Sequence, residues 1–94
     1  MINKMHEGDM DAILDGIGSK KHILILNAIM AGTKYAVTEP KFVSGVYAAQ
    51  KSDEILLGIS LKDVATAALH LLGIEEYTGN DAAIKGLIEN CFGI

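Results

Sequence analysis

Apolar residues recur at helical spacing along most of this chain. Met10, Ile13, Leu14 and Ile17 share one helix face, while Asp9, Asp11 and Asp15 fall elsewhere. Over 60–72, Lys62, Asp63, Thr66 and His70 occupy one narrow side, and Leu61, Val64, Ala65, Ala67, Ala68, Leu69, Leu71 and Leu72 cover a wide arc. Such a helix needs neighbours on two sides. Ile84, Leu87, Ile88 and Cys91 form a single stripe opposite Lys85 and Glu89. Ile23-Leu24-Ile25-Leu26 reads as a buried strand as readily as a helix. The run continues through Ala28-Ile29-Met30-Ala31, past strand length, which favours a helix apolar all round and buried at the centre. Thr33 to Thr38, with Tyr35 and Val37, is the one further stretch with strand character, and it has no obvious partner.

Glycines punctuate this pattern. Gly16-Ile17, Gly58-Ile59, Gly73-Ile74 and Gly93-Ile94 each fit a helix stop, in which a left-handed glycine is followed by an apolar residue that folds back on the last turn. Start signals interleave with them: Asp9, Ser19, Thr38 ahead of Glu39-Pro40, Ser60 with Asp63, and Thr78 or Asn80 ahead of Asp81. Pro40 suits a first helical turn, where the amide it lacks would have no partner. The expected fold is all-α: a compact orthogonal bundle of about five short helices over 9–16, 19–31, 39–57 with a break near Lys51-Ser52, 60–72 and 80–91, after a flexible N-terminus at 1–8. At 94 residues the chain is one domain, 1–94.

Composition narrows the function classes. Half the residues are apolar, 5% are aromatic and one is proline, which excludes collagen, low-complexity linkers and disulfide scaffolds. The single Cys91 forms no intrachain disulfide, so packing must hold the fold, and a reducing, cytoplasmic setting follows as the expectation. No apolar stretch spans a bilayer, and the first nine residues have no signal-peptide core. All eight positive charges are lysine against twelve acids, a net charge of −4, so neither direct nucleic-acid binding nor a membrane partner is expected.

Four features invite chemistry. Cys91 is the only soft nucleophile, but it falls at a helix C-terminus and on an apolar stripe, where both dipole and burial oppose a thiolate. His6, His22 and His70 lack the close pairing of metal motifs, and Glu7, Asp9, Asp11 and Asp15 lack the glycine and terminal glutamate of a calcium loop, so no metal or cofactor is assigned. The turn Asp15-Gly16-Ile17-Gly18-Ser19-Lys20-Lys21 is a better candidate. It feeds a helix start with free amides and two lysines, which suits a phosphate or carboxylate, although it lacks P-loop spacing. Gly16, Gly18, Ser19, Lys20 and Lys21 are its proposed ligand-binding residues, with Thr33, Lys34 and Tyr35 as a second polar island that closes on the first across the buried helix. Finally, alanines at 48, 49, 65, 67 and 68 let helices approach closely, and so small a domain has little interior. Self-association is the expected outlet, through Phe42, Val43, Val46 and Tyr47 of the third helix or Ala65, Ala68, Leu69 and Leu72 of the fourth.

The ending Cys91-Phe92-Gly93-Ile94, after Leu72-Gly73 and Thr78-Gly79, is similar to the C-terminus of the MnmE family of tRNA-modifying GTPases. That family closes with a Leu-Gly and a Thr-Gly ahead of a terminal Cys, apolar, Gly, Lys sequence. The likeness covers about a quarter of the chain, Ile94 stands where the lysine would be, the spacings differ, and there is no phosphate-binding loop. It implies at most a role for Cys91, and shared helix-cap glycines account for the rest. No acid, base and nucleophile fall at workable spacing. The expected function is therefore non-catalytic: a small acidic helical homo-oligomer that binds another protein, of the inhibitor, adaptor or anti-defence kind. The alternative is an oligomeric module that holds a small anionic ligand, such as a nucleotide, at the Gly16 to Lys21 turn. A thiol-dependent enzyme or redox sensor at Cys91 ranks third.

Overall fold

A computed structural model describes residues 2–56 and 58–91, the side chains of Asn90 and Cys91 excepted. Six α-helices follow one another: α1 (Ile2–His6), α2 (Met10–Ile17), α3 (His22–Lys34), α4 (Pro40–Gln50), α5 (Leu61–Leu71) and α6 (Ala82–Gly86). A two-stranded antiparallel hairpin, β1 (Ile55–Leu56) and β2 (Ile59–Ser60), separates α4 from α5, and a π-helix over Leu87–Cys91 continues α6. The protein is thus mostly helical, as its periodicity requires. The run from Ile23 to Leu26 is helical and belongs to α3, which packs against α1, α2, α4 and α5. Its N-terminal half is less covered than expected: Leu26 is buried, Leu24 and Ile25 are half-buried, and Ile23 is exposed.

The helix ends show which glycines act as caps. At Gly73, φ is +74°, the amide of Gly73 bonds the carbonyl of His70, and the amide of Ile74 bonds that of Leu69. This is the Schellman pattern expected there. The same pair of bonds closes α3 at Ala36-Val37, where Ala36 N donates to Thr33 O and Val37 N to Gly32 O. Ala36 takes the left-handed conformation (φ +53°) without being glycine, and buried Val37 folds back as the apolar residue. No strand forms over residues 33–38.

Other expectations are corrected. Gly16 does not stop a helix: it lies within α2, and its missing side chain leaves the space that Met5 and Ala28 occupy. Gly58 (φ +78°) turns the hairpin, whose register pairs Ile55 with Ser60 and Leu56 with Ile59; the third helix ends at Gln50, at the break expected near Lys51-Ser52, and no helix resumes over 52–56. The cause is local. The Ser52 hydroxyl accepts the Glu54 amide just after α4, and branched Ile55 and Ile59 flank a glycine turn. Residues 2–6, expected in a flexible tail, form α1. Met5 is fully buried in the core, and His6 Nε2 donates to Asn27 Oδ1 of α3 at 2.9 Å. Gly93-Ile94 lies outside the described residues.

Asp9 and Ser60 cap α2 and α5 as expected, accepting from the amides of Ala12 and Asp63. Asp81 itself, not Thr78 or Asn80, caps α6 by accepting from Ala83 and Ile84. The core runs through every helix, with Met5, Ile13, Ile29, Phe42, Val46, Leu61, Val64 and Leu69 fully buried. No helix among the described residues is long and apolar enough to cross a membrane.

Candidate functional site

A cleft of about 210 Å³ opens where the end of α2, the start of α3, the face of α4 and the first residue of α5 meet. Its lining is mostly apolar, with Ile17, Ile25 and Leu61 and the small residues Gly45, Ala48 and Ala49, joined by the polar Ser19, His22 and Ser52. The small residues make the hollow. Gly45, Ala48 and Ala49 stand at i, i+3 and i+4 on α4, so one strip of that helix carries nothing larger than a methyl group. Ile17 packs where a side chain at Gly45 would project.

The margin is weakly charged. His22 Nδ1 stands 3.8 Å from Glu54 Oε2, with both side chains about half exposed, too long for a hydrogen bond and too wet for a strong ion pair. The Ser19 hydroxyl accepts the Lys21 amide, and that of Ser52 accepts the Glu54 amide, so each shapes its own turn. Among the described residues no hydrogen bond joins either serine to His22, and no cluster of three metal-ligating side chains exists. What the cleft offers chemically is desolvation of an apolar group beside a few polar ones.

The expected anion-binding residues are divided. Gly18, Ser19, Lys20 and Lys21 do form the α2–α3 turn, and Ser19 reaches the cleft, but Gly16 is buried in α2. The second island does not close on the first. Thr33, Lys34 and Tyr35 end a thirteen-residue helix that the turn begins, a separation of about 20 Å at helical rise. Thr33 is buried and donates to Ile29 O, and the exposed Tyr35 donates its hydroxyl to His6 O at 2.8 Å. Lys34 Nζ lies 5.7 Å over the Tyr35 ring.

The expected interface residues are mostly interior. Phe42, Val46, Ala65, Ala68 and Leu69 are fully buried within one chain, because α4 and α5 turn those faces onto each other and onto α3. Val43, Tyr47 and Leu72 remain half-buried. Among the described residues, the large apolar side chains left exposed are Met10, Ile23, Tyr35, Ile55 and Ile74. Two of them adjoin the cleft along the chain, Ile23 after His22 and Ile55 after Glu54. The Cys91 side chain lies outside the described residues.

A second depression of about 420 Å³, lined by Lys4, Asp9, Asp11, Ala12 and Asp15, gathers three acids on the outer side of α2. The sequence marks these acids only as falling short of a calcium loop, and its one trace of the cleft, which it does not otherwise signal, is the spacing of Gly45, Ala48 and Ala49. No family model matches the chain, and no curated protein or solved structure matches it.

Proposed function

We propose that this chain is a non-catalytic, self-associating cytoplasmic protein, its helices crossing as an orthogonal bundle, that acts by binding another protein in the manner of an inhibitor or adaptor. The α2–α3–α4 cleft takes an apolar anchor side chain of the partner. The observation that carries this reading is the size and lining of the cleft. At about 210 Å³ it falls below the roughly 300–1,000 Å³ of small-molecule sites, and its lining is mostly apolar. Buried anchors in small pockets dominate protein interfaces. Ile23 and Ile55, exposed and next in sequence to the His22–Glu54 pair, extend the contact and favour self-association. The net charge of −4 and the acid-lined depression on α2 favour a partner with a basic surface.

The test is a comparison of native pull-downs with the wild-type protein and Ala48→Arg, read by quantitative mass spectrometry. Ala48 is exposed on the cleft wall, so arginine blocks the cleft and shifts stability by no more than about 0.5 kcal/mol. A protein captured by wild type and lost from the variant supports the reading. Identical captured sets contradict it.

One observation favours the anionic ligand as a second reading: α3 begins at Lys21 without any side-chain cap, leaving its first amides open beside two lysines. A nucleotide bound there at one hundred times its dissociation constant would add about 2.7 kcal/mol to stability. The absence of any thermal shift across a nucleotide panel would retire it.

A further inference from the structure

Residues 72–81 leave the end of α5 and return to it before α6 begins, forming a strap held by side chains. The Tyr77 amide donates to Nδ1 of His70 at 3.0 Å, and the Asp81 amide donates to the Tyr77 hydroxyl at 2.9 Å. Asp81 in turn caps α6, whose Ile84 is buried in the core. At the other edge of the strap, the Glu75 carboxylate faces the Tyr47 phenol of α4 and raises its pKa above the ordinary value.

A backbone amide can only donate, so Nδ1 of His70 must present its lone pair and the ring must be neutral, with its proton on Nε2. An imidazolium carries N–H at both positions, and its Nδ1–H would face the Tyr77 N–H, donor against donor. We propose that His70 is a proton-operated clasp: neutral, it holds the strap and with it α6 and the π-helix against α5, and protonated, it lets them go.

The neighbouring charges do not lock either state. Lys41 and Tyr47 lie on α4 and Lys51 at its C-cap, Lys62 on α5, Asp81 at the end of the strap, Lys85 on α6, and Glu89 on the π-helix. Asp63 lies two turns back on α5, and Glu75 and Glu76 lie on the strap; among the described residues no carboxylate comes within 4 Å of a His70 ring nitrogen. On α3 the ionisable groups sit at its ends, His22 and Lys34, and β2 carries none. His70 is half-buried and stands in the last turn of α5, where the helix dipole favours a cation. The clasped form binds one proton fewer than the released form, so clasping is favoured at high pH and fades as pH falls.

The experiment is amide exchange at Tyr77 in the full chain, followed by NMR and corrected for the intrinsic pH dependence of exchange. Opening at Tyr77 rises as pH falls from 7.5 to 5.5. His70→Asn places a neutral acceptor near the Nδ1 position, and its corrected exchange stays flat over that range. A flat wild-type profile, or a variant that opens in step with wild type, overturns the clasp. The ring nitrogen shifts of the native protein give an independent answer: at pH 7.5 the clasp requires a bare Nδ1 and a protonated Nε2, and the opposite tautomer overturns it.

Discussion

A methyl group placed on Gly32 would fall onto the ring of Phe42, a stiff and fully buried side chain with no free end to swing aside. Gly32→Ala therefore overpacks the contact between α3 and α4. We expect a loss of about 1–3 kcal/mol, which exceeds the gain of about 1 kcal/mol that alanine brings to a helix interior; a fall in the urea midpoint at unchanged slope measures it. Ala36 has the opposite problem, since it holds a left-handed conformation on an exposed loop. Ala36→Gly relieves that strain against a greater loss of chain entropy, for a net gain of a few tenths up to about 1 kcal/mol. At Tyr47, the hydrogen bond with Glu75, then burial, then the Glu75 charge raise the phenol above its ordinary value. A raised folded pKa means that this link contributes fully below the unfolded phenol value of about 10 and is lost as pH rises beyond it. A tyrosinate absorbance titration should show a component ionising above the ordinary phenol value, and Tyr47→Phe should remove it.

Caps decide where the elements begin and end. Asp81 is the sole side-chain cap of a five-residue helix, accepting from two amides, so Asp81→Ala should cost about 1 kcal/mol and raise exchange at Ala83 and Ile84 first. Most of the helices were legible in the chain because their apolar periodicity is strong and because Asp9, Ser60 and Pro40 stand at true starts. Their ends were harder to read. The fold-back of an apolar residue onto the last turn was the right physics at Gly73-Ile74, but the chain applies it at Ala36-Val37 as well, where no glycine marks it. At Gly16-Ile17 and Gly58-Ile59 glycine serves other needs: contact with Met5 in one case, a hairpin turn in the other. A Gly-Ile pair alone does not distinguish these three uses, because the deciding partner lies elsewhere in the chain.

At the scale of the whole molecule, the described residues have a Cα radius of gyration of 11.8 Å, close to the roughly 12 Å of a compact domain of this length. One copy buries more than its size suggested. The faces of α4 and α5 that looked available for assembly are consumed in the protomer, and α1 adds Met5 to the core that the tail was not expected to supply. What the proposed partner contact uses is the cleft along the small-residue strip Gly45, Ala48 and Ala49 of α4, where Ile17 packs against Gly45. That strip was visible as a run of small residues, yet the cleft depends on what α2 and α3 place opposite it, which no local pattern records.

The central claim is that a partner protein seats against this cleft, and site-specific photo-crosslinking in the native cytosol tests it most directly. A benzophenone side chain at exposed Asp53, one residue from the cleft margin, is compared with the same group at exposed Lys85 on α6. The account predicts a discrete protein adduct from position 53 that is absent from position 85 and disappears when Ala48→Arg is added. No adduct from position 53, or one that forms equally from 85 and survives the arginine, would contradict it.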